Sequence, residues 1–133
     1  MANVDTHKQL AASLLADMRK SDPKEEWPII VDAGYYALFH SLEALSALEC
    51  RDSYTFADAA DILDNVLSGP ILDRSIFTAY NYLFYFRRGA IYGWHTPTAQ
   101  QIVRYTETVE KCVEHVQSKF AGVGTRDLFR KSD

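Results

Sequence analysis

A chain of 133 residues has room for one hydrophobic core and not for two. With 47% hydrophobic and 24% charged residues it is too apolar to be a disordered segment. A net charge of −4 excludes a protein that coats nucleic acid by bulk positive charge, but leaves a local basic site open.

The segment from about Asp5 to Lys20 places Leu10, Leu14, Leu15 and Met18 at helical spacing and predicts an amphipathic helix. Asp22-Pro23-Lys24-Glu25 then has the form of a helix start: an acidic cap, proline at the first position and Glu three residues after the cap. Pro28 offers a second start, because proline lacks the backbone donor that a helix interior needs. From Ile29 to about Glu49 runs the most apolar helix, with Ile29, Ala33, Tyr36, Ala37, His40, Ala44 and Ala47 or Leu48 in one stripe. Phe39, Leu42 and Leu45 widen that stripe, so most of the helix is expected to be buried.

A short helix is expected over about Thr55 to Leu67, closed by Ser68-Gly69-Pro70. The next, about Ile71 to Tyr92, carries Leu72, Ile76, Ala79 or Tyr80, Leu83 and Phe86 or Arg87 on its inner side. Gly93 weakens its end by about 1 kcal/mol against Ala without having to stop it. Thr96-Pro97 reads as a hydroxyl cap and a first-position proline. The final helix holds Ile102, Tyr105, Val109, Cys112 or Val113, Val116 and Phe120 in a steady seam, and Gly122 and Gly124 are expected to release a polar tail. The fold expected is all-α, an up-and-down bundle of four to five helices over residues 1–121 with a tail over 122–133.

No stretch approaches the ~20 apolar residues that span a bilayer, and Met1 to Leu15 is not a secretory signal, so the chain is read as cytoplasmic. Cys50 and Cys112 follow no CxxC or CxxH pattern and are read as reduced, partly buried thiols. No His or Cys pair has a metal-ligand spacing and no cofactor motif is present, so neither a metal nor a cofactor is expected.

The chemistry concentrates in Phe86-Arg87-Arg88-Gly89-Ala90-Ile91-Tyr92-Gly93-Trp94-His95. Arg88 and His95 are seven residues apart, about 700° on an unbroken helix, so they would share a face with Tyr92 between them and Cα atoms roughly 10 Å apart. A guanidinium pairs its donors with phosphate, and an imidazole moves protons near neutral pH. Together they are a minimal set for cutting RNA without a metal: His95 as general acid or base, and Arg88 or Arg87 on the phosphate. The plainer account is an arginine pair favoured by the helix dipole and a histidine that helps end the helix. His40, on the apolar stripe, is expected to be a hydrogen-bonded core residue, and His7 and His115 to be solvated.

Two stretches resemble a known family. Gly34-Tyr35-Tyr36-Ala37-Leu38-Phe39-His40-Ser41-Leu42-Glu43-Ala44-Leu45 is similar to the YYAxFHxxxAL helix of small prokaryotic HEPN proteins, and Arg87-Arg88-Gly89-Ala90-Ile91-Tyr92-Gly93 resembles their later RxxADYG segment. The resemblance spans about Asp5 to Phe120. It implies a helical bundle that dimerises, with the Arg–His motifs of both copies facing a shared cleft. It further implies either a metal-independent endoribonuclease of the toxin or defence type, or a non-catalytic module that binds a nucleotide. A nucleotidyltransferase-type partner is implied as well, with Tyr92 as the candidate acceptor of adenylate. The chain departs from the pattern at Gly89, which follows Arg88 where active members carry Asn, Asp or His, and at Ile91, which stands in place of Asp. Beside both readings stands a ligand-free dimer with the aromatic face from Phe77 to Trp94 as its core.

Overall fold

A computed structural model of the chain describes residues 2–49, 66, 72–93 and 95–132. Among these residues there are four helices and no strand: α1 (Ala2–Lys20), α2 (Trp27–Glu49), α3 (Arg74–Ile91) and α4 (Ala99–Ser132). The expected short helix over Thr55 to Leu67 falls outside the described residues except for Val66, which is helical and buried in the core.

The order of contacts makes the bundle up-and-down. Val4 packs with Ala47 and Leu48 at one end of the α1–α2 pair, while Met18 meets Gly34 nearer the other. Tyr35 meets Tyr80 and Asp32 meets Arg87, so α3 runs antiparallel to α2. Phe86 lies against Tyr105 and Asp73 near His115, which turns α4 antiparallel to α3.

Helix α2 is the central element because its sequence is apolar almost all round. Val31, Ala37, Leu38, Leu42, Ala44, Leu45 and Ala47 are fully buried, and α1, α3 and α4 all pack against it. Gly34 makes the closest approach possible. A Cβ placed there would lie 3.0 Å from Met18 Sδ and Val109 Cγ2 and 3.1 Å from Tyr105 Cε1. Three helices therefore converge on a position with no side chain. Beside it, the buried Tyr105 hydroxyl donates to the carbonyl of Val31 at 2.8 Å, tying α4 to α2. Cys112 is buried and its thiol pKa is pushed up to about 11 by burial, so it packs as a small apolar group.

Several helix boundaries differ from expectation for local reasons. α1 begins at Ala2, before Asp5, and its inner stripe is Val4, Ala11, Leu15 and Met18, with Leu10 turned out at 42% exposure. Asp22 to Glu26 forms a turn rather than a helix start: the Asp22 carboxylate accepts from the Lys24 N–H and the Glu26 carboxylate from the Asp22 N–H. The Glu26 carbonyl then accepts from Ile29 and Ile30, so α2 starts at Trp27 with Pro28 in a first turn that needs no donor from it. On α2 itself, Ile29 and Tyr36 were expected on the buried stripe and are 47% and 38% exposed. α4 is capped by Thr98, not Thr96. Its hydroxyl accepts from the Gln101 N–H at 3.1 Å while the Gln101 side chain accepts from the Thr98 N–H at 2.9 Å, a reciprocal capping box. The helix then continues past Gly122 and Gly124 to Ser132, where a released tail was expected.

No described helix is long and apolar enough to cross a membrane.

Candidate functional site: an arginine cleft at the end of helix α3

Asp73 opens α3. Its carboxylate accepts from the Ser75 N–H at 2.9 Å, and hydrogen bonding from Ser75 holds its pKa below the usual carboxylate value. Ile76, Leu83 and Ala90, seven residues apart, are buried against the core. The opposite side carries Phe77, Tyr85 and Tyr92, which are 40%, 64% and 67% exposed.

At its C-terminal end α3 stops, rather than running on to His95. The Tyr92 N–H donates to the Arg88 carbonyl at 3.1 Å, the Gly93 N–H to the Ala90 carbonyl at 3.3 Å, and Gly93 takes φ +79°. That left-handed geometry is open to glycine at little cost and ends the helix. The unbroken helix on which Arg88 and His95 would share a face is therefore absent.

The two neighbouring arginines take different surroundings. Arg87 turns inward: its Nε donates to Asp32 Oδ1 at 2.7 Å, and its guanidinium carbon lies 5.4 Å and 5.1 Å from the rings of Tyr35 and Tyr36. Burial acts to lower the Arg87 pKa, but the hydrogen bond and charge of Asp32 outweigh it and the net shift is upward. Arg87 is thus a charged cross-link between α3 and α2. Arg88 is exposed. With Phe84, Arg87 and Tyr92 it lines an open cleft of about 470 Å³.

His95 is exposed and stands elsewhere. Its ring meets Phe86 edge-on at 5.7 Å, and Phe86 in turn lies 5.0 Å from Tyr105 of α4. Phe86 and Arg88 project about 160° apart on a helix, so the ring that His95 meets faces away from Arg88. Of the four residues singled out in the sequence, the fold brings Arg87, Arg88 and Tyr92 to one cleft, and His95 is not among the residues lining it.

A second polar cluster lies between α1 and α2. His7 Nδ1 and His40 Nδ1 are 2.9 Å apart with the rings stacked at 5.1 Å, and His7 Nε2 is 4.0 Å from the buried carboxylate of Glu43. His40 is the hydrogen-bonded core residue expected. His7, expected to be solvated, is its partner, with a side chain only 13% exposed. The spacing Val4, His7, Ala11 on α1 and His40, Glu43 on α2 was the available signal. Burial, and secondarily His7, lower the His40 pKa. At 2.9 Å one of the two Nδ1 atoms donates and the other accepts. The pair thus holds one proton between its facing nitrogens. Among the described residues no three His, Cys, Asp or Glu side chains are grouped to hold a metal ion.

Neither a protein-family model, nor a curated protein, nor a solved structure matches this chain.

Proposed function

We propose that this chain is a HEPN-like module that binds the phosphate of a nucleotide or RNA in the cleft at the C-terminal end of α3. The observation that carries the reading is the cleft itself, which gathers two arginines and two aromatic rings at the end of α3. Arg87 is held by Asp32 and two tyrosine rings, and beside it Arg88 faces an open cleft walled by Phe84 and Tyr92. A guanidinium on a rigid helix end, next to aromatic walls, suits a phosphate with an attached base. The resemblance to HEPN proteins supports the same assignment, and with it a homodimer or a nucleotidyltransferase-type partner.

The metal-independent endoribonuclease is the second reading. It is favoured by the exposure of His95, whose imidazole stands outside the core on the segment that follows the cleft. In that reading the His95 of a second copy completes the site, because the His95 of the same copy lies against Phe86.

Titration calorimetry with adenosine 5′-monophosphate tests the binding reading. Arg88→Ala is expected to weaken binding about tenfold or more, since hydrogen bonds to a charged group contribute about 1.5–3 kcal/mol. His95→Ala is expected to leave the affinity unchanged. Equal affinity of wild type and Arg88→Ala overturns the assignment.

A further inference from the structure

Arg87 brings more donors to the cleft than its link to α2 uses. Asp32, Tyr35 and Tyr36 stand at spacings of three and four on α2, so they share one face and form a seat for the guanidinium. Asp32 Oδ1 accepts from Nε at 2.7 Å, and the guanidinium carbon lies 5.4 Å and 5.1 Å from the two rings. A guanidinium carries donors on all three of its nitrogens. Among the described residues Nε makes the one hydrogen bond of this side chain, so both terminal nitrogens keep their donors. The side chain is 22% exposed and lines the cleft beside Arg88.

We infer that Asp32 is a positioning residue that makes Arg87 the second arm of the phosphate site, and that the cleft thereby prefers a terminal phosphomonoester to an internal phosphodiester. The inference rests on the phosphate reading of the cleft and names the kind of phosphate. A monoester carries about −1.5 to −2 charge near pH 7 and offers three terminal oxygens, enough to engage a fork from each arginine. A diester carries a single charge on its two free oxygens, which one guanidinium satisfies. The second arm therefore strengthens the binding of a monoester and adds little for a diester. Asp32 itself is half exposed, and its negative charge opposes an anion. Its contribution comes through the hydrogen bond to Nε and not through its charge.

The test is titration calorimetry with adenosine 5′-monophosphate and its methyl phosphate ester, which differ by one charge on the same base and sugar. Wild type is expected to bind the monophosphate at least about tenfold tighter, as one more hydrogen bond to a charged group implies. Arg87→Gln is expected to lower the monophosphate to the level of the ester and to leave the ester unchanged. Asp32→Ala is expected to lose most of the preference. Asp32→Asn, whose amide oxygen still accepts from Nε, is expected to keep it. A merely structural loss weakens both ligands alike, so the ratio is the readout. The wild-type ratio needs no variant and decides the matter if Arg87→Gln does not fold. A 5′-phosphorylated oligoadenylate beside its 5′-hydroxyl counterpart separates the sources of the phosphate. Tighter binding of the phosphorylated strand supports a strand end, and a preference confined to the mononucleotide supports the free nucleotide.

Equal affinity for the monophosphate and the ester, both weakened by Arg88→Ala, overturns the inference and leaves the cleft. So does a preference that Asp32→Ala and Arg87→Gln leave intact. Binding of neither ligand overturns the inference and the phosphate reading together.

Discussion

Acidification from pH 7.5 to 5 is expected to destabilise the protein and to loosen α1 from α2 first. His40 is held below the ordinary histidine pKa by burial and then by His7, whose Nδ1 lies 2.9 Å from its own. A group whose pKa is lowered on folding contributes stability that is complete above its unfolded value, about 6.5, and is lost as the pH falls through the folded value. The sign is therefore loss on the acid side. Protonating His40 places a charge on a partly buried ring stacked against a second imidazole. Urea midpoints across this pH range should fall, and amide exchange should report opening of α1 around His7 before the rest. His40→Gln removes the titrating ring and should flatten the profile. A slope unchanged in His40→Gln would assign the acid sensitivity to other groups.

Gly34→Val is expected to cost about 3 kcal/mol, near the upper end of what overpacking a core produces. A β-branched side chain there meets Met18, Val109 and Tyr105 at once, from two different helices. Methionine can shift its sulfur, but Val109 and Tyr105 are fully buried, and Tyr105 is also tied to Val31 through its hydroxyl. Relief would require α4 to move away from α2. Gly34→Ala is expected to cost less, because a better helix former offsets part of the crowding. Denaturant unfolding of both variants measures this, and a Gly34→Val midpoint equal to that of wild type would contradict the close convergence of α1, α2 and α4.

The helices that present one apolar side were legible in the sequence. Ile102, Tyr105, Val109, Cys112, Val113 and Val116 of α4 are all buried, as their spacing predicts, and so are Leu72, Ile76 and Leu83 at and within α3. Helix α2 was harder for a physical reason. When nearly every side of a helix is covered, a stripe at spacings of three and four no longer identifies the exposed positions, and Ile29 and Tyr36 were misplaced. The site depended on one backbone angle. Arg88 and His95 share a face only if Gly93 stays helical; it takes φ +79° and the histidine goes elsewhere. The choice between Arg87 and Arg88 needed a partner on another helix, Asp32, which local spacing does not reveal. The same is true of His7, whose role appears only when α1 is laid across His40 and Glu43.

The most direct test of the central claim, that the cleft binds phosphate through Arg88 and does not cut RNA, is a single gel experiment. Mixed RNA is incubated in excess EDTA with wild type, Arg88→Ala and His95→Ala, and both retardation and fragmentation are read. The expected result is RNA that is retarded by wild type and by His95→Ala, released by Arg88→Ala, and intact in every lane. Fragments made by wild type and lost in both variants would contradict it and establish the ribonuclease with His95 at its centre.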